Sequence, residues 1–229
     1  MKALTSGLEL PERLTEPNAV AQPRDFNPNA YFDVLTHLSL KSGYQLDWVY
    51  FSDELGGRPL VYARPPSQAP FSTYPDFLAS KGQEQTGERS YAVLPYSSEF
   101  TTFIVVDGTA EGFIELVNLA FAADQFHLWW HGNYNDIFIV CDQSDVQPAM
   151  NGLDGFDLTL PPEILEAARS LPLAPTISLS EESATISVVV FTKWGGFYRD
   201  TFEVSRSFPH DVLDAESIPL IEYDCGVSF

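Results

Sequence analysis

Residues 100–124 read FTTFIVVDGTAEGFIELVNLAFAAD and decide the fold. The β-branched and aromatic run 100–106 predicts a strand, and an Asp-Gly turn leads into a predicted helix over residues 109–124. This helix is apolar around most of its circumference and has only a narrow polar stripe, at Glu111, Glu115 and Asn118. The apolar surface of such a helix must be covered by other parts of the chain, so we expect the helix to be buried at the centre of the core.

Period-two alternation and turn residues predict strands on both sides of this stretch. The predicted strands cover residues 44–51, 59–64, 126–131, 136–142, 184–192, 197–204 and 219–223. Three of the connections are expected to be hairpins: the loop after 51, the Gly-Asn-Tyr-Asn turn at 132–135, and the turn at 193–196. Shorter helices are predicted over 29–43, with Asn29 as the N-cap, and over 76–81 and 163–170.

Together these elements predict an α+β fold, with one globular domain over residues 29–229. We expect a mixed or mostly antiparallel sheet of six or more strands, packed against the helix at 109–124. The unit 100–131 fits a right-handed parallel crossover, and an antiparallel α+β arrangement fits it nearly as well. Residues 1–28 contain four prolines among polar residues and predict an extended N-terminal arm.

The charge of the chain is strongly negative, with 12 Lys and Arg against 32 Asp and Glu and a formal net charge of -20. Because phosphate groups are bound by clustered cations, this composition argues against nucleic acid and against an anionic membrane surface as partners. Residues 90–168 hold 12 acidic residues and neither Lys nor Arg. We expect their carboxylates to gather into one negative face that docks a basic protein, the alternative being ordinary solubilising surface charge.

This pattern favours a non-enzymatic interaction module, such as an inhibitor or immunity-type protein that neutralises a basic partner. No cofactor is expected, because the glycine-rich nucleotide loops are missing from the sequence. The acidic run at 142–157 lacks the ligand order of a calcium loop, so no metal is expected. The start of the chain lacks a signal-type apolar core, and a cytoplasmic location is the expectation.

The segment FHLWWHGNYND at residues 126–136 carries the alternative function. Its candidate binding residues are one face of a strand and the loop that follows: His127, Trp129, His131, Tyr134, Asn135 and Asp136. They would bind a small cationic or aromatic ligand, or let Asp136 orient His131 as the base of a hydrolase-like enzyme. A half-buried sheet face without chemistry is the structural alternative. The His pair does not predict a metal, because four residues of strand span about 13 Å.

The two cysteines, Cys141 and Cys225, are too few and too far apart for a disulfide scaffold. We expect each to be a small buried hydrophobic residue. A Cys141–His127 catalytic pair is disfavoured, because the predicted hairpin places these two side chains on opposite sides of the sheet.

Overall fold

The structure is a computed structural model. It describes residues 27–52, 56–81, 99–125, 129–130, 137–151, 161–192 and 195–223. The chain divides into two compact units: unit 1 comprises residues 1–135 and 208–210, and unit 2 comprises 136–207 and 211–229. The single domain expected over 29–229 therefore stays a prediction. The arm expected over residues 1–28 lies almost entirely outside the described residues.

The chain contains both helices and antiparallel strands, which confirms the predicted α+β class, but the described strands form sheets of two, three and five strands, so the expected sheet of six or more strands is wrong for these residues. The strands are β1 (Leu38–Leu40), β2 (Gln45–Ser52), β3 (Gly56–Arg64), β4 (Ile104–Val106), β5 (Trp129–Trp130), β6 (Phe138–Val140), β7 (Thr176–Leu179), β8 (Ser183–Thr192), β9 (Gly196–Ser205) and β10 (Val212–Glu222). The α-helices are α1 (Tyr74–Ser80), α2 (Ala110–Gln125), α3 (Gln143–Asn151) and α4 (Pro162–Ala168). None of the described helices is both long enough and apolar enough to cross a membrane.

Unit 1 contains two small sheets and the predicted long helix. Its described strands pair as β1-β4 and as β2-β3-β5, and every ladder is antiparallel. The helix expected over 109–124 is α2, and it contacts both β1 and β4. Its buried side chains are at most 3% exposed: Phe113, Leu116, Val117, Leu119, Ala120 and Phe121. The apolar circumference read from the sequence is thus covered, while a central place in the whole fold stays a prediction.

The helix predicted over residues 29–43 is wrong. A short 3-10 turn over Pro28–Asp33 takes its place, and the chain then enters β1. Asn29, the expected helix cap, instead holds the backbone of Leu46 with its side-chain amide, through two hydrogen bonds of 2.9 Å. The contacts that residues 29–40 make with β2 and β4 therefore outweigh the helical periodicity of their sequence. The strand predicted over 100–106 is likewise shortened to β4, because residues 99–103 form another 3-10 turn.

The predicted hairpin of strands 126–131 and 136–142 is also wrong. In the described residues, β5 pairs with β3, with Trp129 opposite Gly57. β6 pairs with β8 instead, with Val140 opposite Val189. Each short strand completes its hydrogen bonds on the edge of a longer strand, so the turn-like sequence between them does not make them partners. The parallel crossover predicted for 100–131 is also wrong, because β4 pairs with β1 and β5 pairs with β3. Both ladders are antiparallel, as in the alternative arrangement.

Unit 2 is built on a five-stranded antiparallel sheet ordered β10-β9-β8-β6, with β7 also paired to β8. The hairpin predicted around residues 193–196 is confirmed, since β8 and β9 pair from Ser183↔Ser205 to Thr192↔Gly196. The last strand is longer than the predicted 219–223, because β10 follows β9 over most of its length. Helices α3 and α4 cover one end of the sheet, and their core includes Val146, Ile164, Val189, Phe191 and Phe197.

Helix α3 lies in the acidic run at 142–157. Two carboxylates of that stretch cap its beginning: Asp142 accepts from the backbone N–H of Ser144 at 2.6 Å, and Asp145 accepts from that of Asp142 at 3.3 Å. Both carboxylates thus satisfy helix-end donors rather than a cation. Cys141, expected to be buried, is exposed because it lies just beyond β6 at the turn into this helix.

Candidate functional site

The site predicted in the segment 126–136 is only marginally covered by the structure. His127, His131, Tyr134, Asn135 and Asp136 lie outside the described residues. Trp129 begins β5, where the structure gives its backbone pairing with β3. Ligand binding or catalysis by these residues therefore stays a prediction. Within the described ranges, no group of three or more His, Cys, Asp or Glu is placed to hold a metal ion.

A polar surface lies on one face of the unit 2 sheet. Glu203 is directly opposite Asp214 in the β9–β10 ladder, and Thr201 is directly opposite Glu216. Cross-strand partners project to the same side of a sheet, so these four side chains share one face. On the neighbouring strand β8, Thr185 lies opposite Glu203 and Ser187 lies opposite Thr201. The hydroxyl of Ser187 accepts a 3.2 Å hydrogen bond from that of Thr201. We call this surface the acidic face: Thr185, Ser187, Thr201, Glu203, Asp214 and Glu216.

The same side of the sheet is apolar at its other end. There Val189, Phe191 and Phe197 are nearly inaccessible and pack under α3 and α4. Arg199 lies between the two regions and donates a 3.2 Å hydrogen bond to the carbonyl oxygen of Pro172. Beyond Arg199 the side chains on this side become short hydroxyls and carboxylates that are half-buried or exposed. The change of composition marks where the helices stop covering the sheet.

The reverse side of the same strands is a core surface. Ala184, Ile186, Phe202 and Val204 are at most 4% exposed. Asp200 also projects to this side, and burial raises the pKa of its carboxyl, which accepts a 2.6 Å hydrogen bond from the hydroxyl of Ser217. Asp200 is therefore engaged within the fold and does not belong to the acidic face.

The carboxylates of the acidic face have no cationic partner among the described residues. Unit 2 holds 16 Asp and Glu against four Lys and Arg. The described arginines of the unit are used elsewhere: Arg169 pairs with Glu166 at 2.6 Å, and Arg206 donates to the carbonyl oxygen of Ser180. Because Glu203 and Asp214 are like charges placed directly opposite each other, their repulsion costs stability that a bound cation would relieve.

Unit 1 contains a second polar cluster, centred on His37. Its ring Nδ1 lies 2.8 Å from Asp107 Oδ2, and the other oxygen of Asp107 accepts from the backbone N–H and the hydroxyl of Thr109. The same hydroxyl accepts from the N–H of Gly112, which is how an N-cap residue begins a helix. A Cβ at Gly112 would lie 2.7 Å from the Asp107 carboxylate, so the close packing here requires glycine.

This cluster could orient an imidazole as a base, because a carboxylate fixes one ring nitrogen. The hydroxyl of Thr109, however, donates to Asp107 and accepts from Gly112, so it is committed to the helix start. The backbone N–H of His37 is held in turn by Glu115 at 2.9 Å. We assign the cluster a structural role, which is to tie β1 to the first turn of α2.

Replacing Asp107 with Asn is expected to lower the pKa of His37 toward its ordinary value. The hydrogen bond that the His37 ring donates to Asp107 is the main cause that raises this pKa, while hydrogen bonds from Thr109, and after them the one from His37, lower the pKa of Asp107 to about 2. A raised folded-state pKa stabilises the fold below the ordinary histidine value, and this contribution is lost as pH rises through the raised value. An NMR titration of the imidazole protons measures the shift, and an unchanged pKa in the variant would contradict the assignment.

Five of the twelve acidic residues at 90–168 already have partners in the structure. Asp107 and Glu115 hold His37, Asp142 and Asp145 cap α3, and Glu166 pairs with Arg169. The side chains of five other acidic residues of this segment lie outside the described part of the chain, so one negative face formed by 90–168 stays a prediction. The alternation of Asp214, Glu216 and Ile218 was the sequence signal for the acidic face, and the short strand predicted at 219–223 missed it.

No protein-family model, curated protein or solved structure matches the chain.

Proposed function

We propose that this protein is a non-enzymatic interaction module that binds a basic partner protein through the acidic face of unit 2. One observation carries the proposal: three carboxylates share an open sheet surface and have no cation among the described residues. An inhibitor or immunity-type protein of the cytoplasm, which masks a cationic surface of an enzyme, fits this chemistry. The partner's Lys and Arg side chains would supply the missing counter-charges.

The expected interaction is fast and sensitive to salt. Exposed ion pairs each contribute only about 0.2–1 kcal/mol, so three carboxylates alone give modest affinity. Their larger effect is on encounter, because a negative field over the surface steers a positive partner toward it. The short Ser and Thr side chains of the same surface allow a partner to approach closely and add hydrogen bonds.

The test is a calorimetric titration with a lysine-rich peptide of 20 residues and with a glutamate-rich peptide of the same length. Only the lysine-rich peptide is expected to bind, and its affinity should fall by about tenfold or more between 50 and 300 mM NaCl because the Debye length shortens. A variant carrying Glu203→Gln, Asp214→Asn and Glu216→Gln should lose most of this binding.

The matched control carries Glu163→Gln, Glu181→Gln and Glu182→Gln, which remove three exposed carboxylates of unit 2 that do not belong to the acidic face. Both variants have the same net charge, so a difference between them locates the binding. Equal losses in the two variants would show that overall charge attracts the peptide, and this result would overturn the proposal.

A further inference from the structure

Strand β10 lies at the edge of the unit 2 sheet and is unusually open. In the described part of the chain its only ladder is with β9. Seven consecutive residues, 213–219, are exposed, so neither side of the strand is covered over this length. They include two large apolar side chains, Leu213 at 57% and Ile218 at 45% exposure. An edge strand presents unpaired N–H and C=O groups that another strand can use.

The regular part of this edge is short and well bounded. The register with β9 shifts between Val212 and Asp214 and again between Pro219 and Ile221. Between these irregularities the residues from Asp214 to Ile218 pair without interruption. Pro219 has no backbone N–H to offer, so it ends the usable edge. The segment is long enough for five residues of an added strand, which would displace one contact, the 2.9 Å hydrogen bond from the backbone N–H of Ala215 to the Asp214 carboxylate.

From this edge we infer that β10 takes up an extended, basic segment of the partner by strand addition, which rests on the function proposed above. Alternate side chains of an added strand would lie on the acidic face, beside Asp214, Glu216 and Ile218. Directly opposed side chains across a ladder have Cβ atoms about 5 Å apart, within reach of an ion pair. The segment that fits therefore has Lys or Arg at every second position and an apolar residue beside Ile218.

A second copy of this chain could also pair with such an edge, but charge repulsion disfavours it. Two copies of β10 paired edge to edge would bring Asp214 and Glu216 close to the same carboxylates of the neighbour. Like charges directly opposite are destabilising, and charged edge residues are a common protection against self-association. The same charges attract a cationic strand, so the edge is selective for a partner of opposite sign.

The probe is the peptide TKTKTVTKTKT, which places all four lysines and the central valine on one face of a strand. Its control, TKKTTVTTKKT, has the same composition and divides the lysines between both faces. A third peptide has the first sequence with two successive central backbone nitrogens methylated, which removes one N–H from each edge of the strand. Fluorescence anisotropy measures the binding of each peptide to the full chain.

The alternating peptide is expected to bind at least about tenfold more tightly than either of the other two. Substituting Asp214→Lys and Glu216→Lys together should weaken it by a similar factor. The control Glu181→Lys with Glu182→Lys, at the exposed turn before β8, should change the affinity by less than about threefold. Circular dichroism of both variants checks that the fold is retained.

The outcomes separate this inference from the proposed function. If the divided and methylated peptides bind as well as the alternating one, and Asp214→Lys with Glu216→Lys still abolishes binding, the acidic face binds cations and strand addition is wrong. If the lysine-rich peptide of the earlier titration binds and all three strand peptides fail, strand addition is again wrong. Failure of every cationic peptide overturns both proposals.

Discussion

Phe191→Ala is expected to lower the free energy of unfolding of unit 2 by about 3–5 kcal/mol, the cost of truncating a large buried aromatic residue. Phe191 is fully buried and its ring lies 4.8 Å from that of Phe197, measured between ring centroids. It projects from β8 into the core beneath α3 and α4. Alanine would leave a cavity there and would remove the aromatic contact between β8 and β9.

Urea unfolding followed by circular dichroism measures this loss. Leu179→Ala is the control, since Leu179 is 41% exposed at the end of β7 and its truncation should cost less than about 1 kcal/mol. Because the acidic face continues from this core on the same strands, we also expect Phe191→Ala to weaken peptide binding. A loss below about 1 kcal/mol for Phe191→Ala would mean that the described core does not hold the sheet.

The second large effect is expected at a largely buried ion pair in unit 1. Arg64 approaches Asp47 through two nitrogens, at 2.7 and 2.8 Å, and also donates to the carbonyl oxygen of Gln68. The side chains are 10% and 18% exposed. Asp47→Ala would leave the guanidinium without its counter-charge in a site with little water, and we expect a loss of about 3 kcal/mol.

Replacing both partners at once is expected to cost far less. Asp47→Leu combined with Arg64→Met removes both charges and keeps similar volumes, so no uncompensated charge remains. The exposed pair of Arg169 with Glu166 is the control, and Arg169→Ala should change the free energy of unfolding by less than about 0.5 kcal/mol. Chemical denaturation of the three variants and the unchanged protein measures these values, and a double variant as unstable as Asp47→Ala would contradict the argument.

Local signals in the sequence predicted the elements that depend mainly on their own pattern. The long apolar run of α2 and the period-two strands of the β8–β9 hairpin are found within one or two residues of their predicted limits. In the hairpin, the turn residues at 193–196 and the alternating side chains both predict two antiparallel strands. Where periodicity, turn residues and burial agree, the sequence pattern is sufficient.

The wrong predictions have a common physical cause, which is pairing between distant segments. Asn29 looks like a helix cap, yet its amide bridges the backbone of Leu46. The Gly-Asn-Tyr-Asn turn looks like a hairpin, yet β5 and β6 pair with β3 and β8. Neither choice can be read from neighbouring residues, because the competing partners lie tens of residues away in the chain.

The candidate site was difficult to predict for a related reason. The sequence shows where carboxylates are frequent, but not which of them already have partners. Asp142 and Asp145 become helix caps and Asp107 holds His37, whereas Glu203 and Asp214 meet across a ladder with no cation beside them. Strand register therefore determines which carboxylates of the described chain have no cation beside them. A count of Asp and Glu in the sequence does not give this information.

The most direct test of the proposed binding surface is an NMR map of backbone amide shifts during titration with the alternating lysine peptide. We predict that the largest shifts fall on β9 and β10, at Thr201, Glu203 and residues 213–218, with little change at α4 or at the turn of Glu181 and Glu182. Shifts spread evenly over the acidic residues of both units would contradict a defined docking surface.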